Sequence, residues 1–200
     1  MKRISAIVGS AEDQIFSTVG NIKSDLGITV STDDAYLGRA LAAASADIVM
    51  YCNRSFLRDT IDDTFFMDGC HSALVLSRTP VASVTSVTQA GTVLDPTGYT
   101  FDAATGIIYR VDTNGNLRDW EILTTVVRFI GGYEDVPADL EAACIAMVKS
   151  KRSNRTRAND LKSEKIPDVY EATYWVAGPG DGSFPVEIGG TLDRYREITI

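Results

Sequence analysis

Apolar positions follow a helical period at the two ends of the chain and lose it in the middle. From Ser10 to Leu26, the residues Ile15, Val19, Ile22 and Leu26 recur at helical steps, with Ser10 placed to cap and Glu12 and Asp13 in the first turn. Gly27 supplies a stop. From Thr32 to Asn53 the pattern is clearest: Leu37, Leu41, Ala44, Ile48 and Tyr51 form one stripe behind the acidic first turn Asp33-Asp34. Ala40, Ala42, Ala43, Ala44 and Ala46 make this helix slim, which permits close approach by a helix of the same fold or of another subunit.

Between Thr60 and Tyr133 the helical spacing vanishes and Val, Ile, Thr and aromatic residues dominate. Strands are predicted at Ile61–Met67, Ala73–Leu76, Val81–Thr88, Tyr99–Phe101, Ile107–Arg110 and Trp120–Ile130. Gly91, Pro96-Thr97-Gly98, Thr105-Gly106 and Asn114-Gly115 mark the turns, and Asp102–Gly106 closes a hairpin. Val81, Val84 and Val87 break strict alternation, which suggests a bulge. Trp120 to Ile130 is apolar on both faces and reads as a central strand. A long helix returns from Pro137 to Arg157, with Pro137 at its first position and Leu140, Cys144, Met147, Val148 and Lys151 on one face. Leu161 to Val176 reads as a short strand or an arm, Gly178 to Gly182 as a break, and Glu187 to Arg196 as a short closing helix.

The expected class is α+β: a helical bundle core with an inserted antiparallel β subdomain. Residues 1–58 would carry the N-terminal helices and 59–134 the insertion. Residues 135–200, the long helix and tail, would pack with the N-terminal helices as one core.

Composition narrows the function. The 200 residues are 44% hydrophobic and 23% charged, as in ordinary globular proteins. The net charge of -8 argues against general nucleic-acid binding and would suit a surface that DNA passes without sticking. Cys52, Cys70 and Cys144 are scattered and odd in number, so no disulfide framework is expected and a reducing compartment fits. The start, Met1 to Ser10, lacks the apolar stretch of a signal peptide, and no run approaches the roughly 20 apolar residues of a membrane span. The expected site of synthesis and use is the cytoplasm, or a particle assembled there, with no membrane partner.

Catalytic chemistry finds little support. His71 is the lone histidine, which removes most metal, triad and general-base arrangements. Asp68, Cys70 and His71 could form a Cys–His pair, although close sequence neighbours seldom face each other productively. Asp62 and Asp63 should point to opposite faces of a strand, and Asp33-Asp34 suits a first turn. Gly178 to Gly182 and Gly131-Gly132 are not phosphate cradles. No catalytic, cofactor-binding or metal residues are expected. The basic run Lys149, Lys151, Arg152, Arg155 and Arg157 has three readings: a dipole-complementing solvated face, an assembly contact with an acidic partner, and least of all a DNA backbone contact.

Four stretches, taken in order, resemble the head–tail connector (head-completion adaptor) family of tailed bacteriophages. The first runs from Asp33-Asp34 through the Ala-rich Leu41 to Ile48 into Tyr51-Cys52-Asn53-Arg54-Ser55-Phe56. The second runs from Leu74 through Pro80-Val81 and Ser83-Val84 to Val87. The third is the Tyr99 to Arg110 hairpin, followed by Trp120 and the strand into Gly131-Gly132-Tyr133. The fourth opens the long helix at Val136-Pro137 with Asp139-Leu140, and Ser163 to Ile166 and Leu192 to Arg196 match the family's tail. The resemblance spans about Ile22 to Arg196, with departures before Ile22 and around Trp175.

The resemblance implies a non-enzymatic structural adaptor in the virion neck, assembled in the host bacterial cytoplasm. It would form a ring, a dodecamer in the virion, under the portal vertex and would complete the head. It implies three partners besides itself: the portal protein, a downstream stopper or tail-completion protein, and genomic DNA passing through the channel without sequence recognition. Ile188, Leu192, Tyr195 and Arg196 are the residues that the resemblance suggests for portal docking. A chain truncated after Gly182 would then lose the portal and stay folded. Two other readings compete. One is a different virion ring protein, such as a stopper or tail terminator. The other is a small hydrolase or ligand-binding domain built on Asp68, Cys70 and His71.

Overall fold

The computed structural model describes residues 1–8, 13–155, 163–166, 170–173 and 186–197. In chain order the elements are β1 (Lys2–Ile7), α1 (Val19–Leu26), α2 (Asp34–Cys52), β2 (Asp59–Phe66), β3 (Ala73–Val75), β4 (Val81–Gln89), β5 (Thr92–Val93), β6 (Tyr99–Asp102), β7 (Ile107–Val111), β8 (Leu117–Arg118), β9 (Thr125–Gly131), α3 (Ala138–Arg155), β10 (Ser163–Ile166), β11 (Tyr170–Thr173) and α4 (Val186–Asp193). They fall into two compact units: Met1–Asp13 with Ser55–Asp135, and Gln14–Arg54 with Val136–Ile200.

In the β unit, a five-stranded antiparallel sheet has the order β1-β2-β9-β4-β5, and a second sheet has the order β3-β7-β6 with β8 beside β7. β2 alternates cleanly: Asp59, Ile61, Asp63 and Phe65 are buried while Thr60, Asp62 and Thr64 are only half-buried. β9 repeats this with Thr125, Val127, Phe129 and Gly131 inward. Ile61, Phe65, Val81, Val87, Val127 and Phe129 of the larger sheet meet Leu74, Ile108 and Trp120 in one apolar cluster. The bulge expected in β4 is present as two register shifts against β9, between Val81 and Ser83 and between Val84 and Ser86.

Gly132, at φ 108°, packs so closely on the Phe56–Leu57 backbone that a Cβ would lie 2.5 Å from the Leu57 carbonyl oxygen. Its N–H donates to the Pro80 carbonyl, and that of Tyr133 to the Phe56 carbonyl. The glycine therefore lets three chain segments of the β unit converge.

In the helical unit, α1 is capped by the Thr18 hydroxyl, which accepts from the Asn21 N–H at 3.1 Å, and ends on left-handed Gly27. α2 ends on left-handed Asn53. Leu37, Ala40, Leu41, Ala44, Ile48 and Cys52 of α2 are buried, as are Leu140, Cys144, Met147 and Val148 of α3. The buried Ser45 hydroxyl accepts from the Phe16 N–H and lies 3.6 Å from Cys144 Sγ.

The expected helical bundle core with an inserted β subdomain is wrong. The chain is 33% helical and 31% strand, with antiparallel sheets prominent and only the broader α+β description fitting. The physical reason is that the two sheets close an apolar cluster of their own. Nor is the β region a simple insertion: β1, which precedes the helices, pairs with β2 along its whole length. Two element predictions change as well. The first helix begins at Val19 rather than Ser10, because extended Thr18 caps it there, and residues 2–7 form a strand. The apolar stretch from Trp120 is not one strand: Trp120 is buried opposite His71, Ile122 and Leu123 are exposed, and β9 starts at Thr125.

Candidate functional site

No helix among the described residues is long and apolar enough to cross a membrane, and none of their His, Cys, Asp and Glu side chains gather into a group that could hold a metal ion. The His71 ring Nε2 lies 3.1 Å from Asp68, whose other carboxylate oxygen takes the N-terminal ammonium. These two partners hold the Asp68 carboxyl down at about 2. Cys70 is exposed beside them. His71 is thus engaged with a carboxylate rather than poised on the thiol. Asp62 and Asp63 do diverge: Asp62 makes a two-pronged pair with Arg128 at 2.7 and 2.6 Å on the outer face. Asp63 is buried and accepts from the Ser77 N–H and hydroxyl at 2.6 and 2.7 Å.

The C-terminal segment is strapped to the helical unit. Ile188 and Leu192 are buried there. The Tyr195 hydroxyl donates to the Asp139 carboxylate at 2.8 Å, near the start of α3. The Arg196 guanidinium stands 5.3 Å over the Tyr51 ring. Tyr51 in turn donates to Asp193 at 2.6 Å, an acceptor that raises the phenol's pKa above its ordinary value. The Glu197 N–H donates to the Cys52 carbonyl, and burial pushes the Cys52 thiol up to about 11. Four expected docking residues are therefore brought together, two of them facing inward and two at the end of α4. Tyr51, Cys52, Asp139 and Asp193 complete this cap. Sequence reasoning missed their role because they lie far apart along the chain.

The basic run on α3 is already engaged. Lys149 pairs with Asp25 at 2.5 Å, Lys151 with Asp47 at 2.9 Å and Arg152 with Asp33 at 3.2 Å, so the run clips α3 to the region of α1 and α2. Arg155 lies in the last turn of α3, and Arg157 falls outside the described residues. On α2, Ala40 and Ala44 are buried while Ala42, Ala43, Ala46 and Met50 are exposed, leaving a slim outward face.

The described side chains near His71 and along α3 are thus engaged with one another in ion pairs and hydrogen bonds. A family profile for head completion proteins matches residues 15–160. The chain belongs to the head completion protein family, a structural family of bacteriophage virions. No curated protein matches it. Three solved structures share its fold across 98% of this chain and 97% of theirs. One is a chain in the neck of a native GTA particle computed with C12 symmetry (16% identity, TM-score 0.60). Another is in the neck of an empty GTA particle computed with C6 symmetry (16%, 0.59). A third is in the virion of a native gene transfer agent particle (15%, 0.53).

Proposed function

We propose that this chain is a head–tail adaptor of the virion neck. It assembles as a ring, dodecameric in the virion, beneath the portal vertex, completes the head, leaves a channel for DNA and offers the tail its docking surface. The observation that carries the reading is membership of the head completion family joined to a fold shared over almost the whole chain with neck proteins in rotationally symmetric particles. Portal protein is the upstream partner and a stopper or tail-completion protein the downstream one. Assembly takes place in the host cytoplasm.

Within this reading, the C-terminal segment docks on the portal. Ile188 and Leu192 anchor α4 in the helical unit, while Tyr195 and Arg196 stand at its end, where Arg196 is exposed. Lys149, Lys151, Arg152, Arg155 and Arg157 are proposed as a contact for an acidic neighbour in the assembly. The first three would exchange partners or share them, since exposed ion pairs hold only about 0–1 kcal/mol each.

Mass by light scattering tests the reading, first on the chain alone and then on its mixture with the cognate portal. A ring alone, or a monomer that joins the portal in fixed ratio, is the expected result. A monomer that ignores the portal and binds tail tube instead would reassign the chain as a stopper or tail terminator.

A further inference from the structure

Two β elements are left incomplete. β1 ends the order β1-β2-β9-β4-β5 and, among the described residues, pairs with β2 alone. The Val8 N–H donates to the Thr60 carbonyl, which makes Val8 and Thr60 a hydrogen-bonded pair of the ladder. Antiparallel ladders alternate, so Lys2, Ile4 and Ala6 turn their backbone groups to β2, and Arg3, Ser5 and Ile7 turn theirs to the open edge. All six residues of β1 are exposed. Proteins usually blunt such an edge with Lys, Pro, a bulge or a covering element. Here the charges stop at Lys2 and Arg3, and Ile4 to Ile7 carries none.

The second incomplete element is the β10–β11 hairpin, which among the described residues forms a sheet of two strands. An isolated two-stranded hairpin is marginal in water, and a third strand is what stabilises it. Both elements lie outside residues 15–160, the span matched by the family profile. Their sequences also lean toward each other in charge: β1 opens with Lys2-Arg3, and the hairpin strands carry Glu164 and Glu171 against the one basic residue Lys165.

A contact between two copies of β1 would be self-complementary and would close as a pair, whereas a ring needs two different surfaces that meet head to tail. We infer that the open edge of β1 receives the β10–β11 hairpin of a neighbouring copy by strand addition, so that one sheet runs across each subunit boundary. This inference rests on the ring reading above.

Hydrogen exchange on the full chain tests it, dilute and then assembled at high concentration or on the portal. The amides of Arg3, Ser5 and Ile7 should become protected on assembly alone. The variant Ser5→Pro keeps the β2 ladder, because the amide it removes faces outward. It should retain the circular dichroism of the parent and lose assembly. Replacing residues 163–173 with a Gly/Ser linker should do the same, and serves as the second variant if Ser5→Pro fails to fold. Undiminished assembly of these variants, or edge amides that exchange equally fast before and after assembly, overturns the inference and leaves the ring reading standing. Protection already present in the dilute monomer means that the same chain covers its own edge, and overturns the contact between copies. A chain that stays monomeric with and without the portal overturns both.

Discussion

Single residues in the β unit carry more than their sequence context announces. Asp63 is a fully buried carboxylate held by the Ser77 N–H and hydroxyl, and Asp59, also buried, pairs with Arg78. Replacing Asp63 with Ala leaves the Ser77 groups without their acceptor. Equilibrium urea unfolding should show a loss of about 1–3 kcal/mol, and an unchanged midpoint would contradict this account. The Asp62–Asp63 pair was legible as two carboxylates on opposite faces, because strand alternation alone dictates that. The buried acceptor role was not, since it depends on Ser77, which the turn after β3 brings back against β2.

Cys52 gives a pH prediction. Its thiol titrates near 11 in the folded chain against an ordinary 9, raised chiefly by burial. The folded state thus favours the protonated thiol. The stabilisation is complete below pH 9 and is lost as pH rises from 9 through 11. Tyr51 and Cys144, also raised, act in the same direction. Denaturant unfolding at pH 8 and pH 10 should show a smaller alkaline loss for Cys52→Ala than for the parent. Equal losses would contradict the assignment.

Among the elements, α2, α3 and the β6–β7 hairpin were readable because each carries a local signal: an apolar stripe, a proline start, or a turn between two short apolar runs. β1 and the region after Trp120 were not. A strand of six exposed residues has no buried face to impose alternation. The apolar Trp120–Leu123 stretch divides between a buried Trp120 and the exposed Ile122 and Leu123, a split that only tertiary packing sets.

The C-terminal segment shows the same limit. The residues proposed for docking could be chosen by position, but burial divides them into the buried Ile188 and Leu192 and the more exposed Tyr195 and Arg196. That division changes the truncation experiment, because removing everything after Gly182 would also remove the buried Leu192 and expose its neighbours. Substitutions separate the two roles. Leu192→Ala should destabilise the helical unit by roughly 2–5 kcal/mol. Arg196→Glu should leave the unfolding midpoint nearly unchanged and weaken portal binding in a pull-down. Portal binding retained by Arg196→Glu would remove the proposed docking role. On α3, Lys149→Ala should cost at most about 1 kcal/mol, since its pair with Asp25 is half exposed on both sides. A larger loss would mean that the clip to Asp25 matters more to the fold than an exposed pair can.

For the whole molecule, the helices gave the longest sequence signals and so looked like the frame, yet the sheets enclose their own apolar cluster and draw in the N-terminal strand. Membership of the head completion family was legible as an ordered series of structural signatures, none decisive alone. Most of the acidic excess falls on the β unit. A surface of that sign repels the phosphate backbone, which would suit the proposed channel for passing DNA. Electron cryomicroscopy of the chain bound to its cognate portal tests the central claim most directly. The account predicts a closed ring of this chain on the portal's lower face, in register with the portal's symmetry. A portal that stays bare at saturating chain concentration would contradict it.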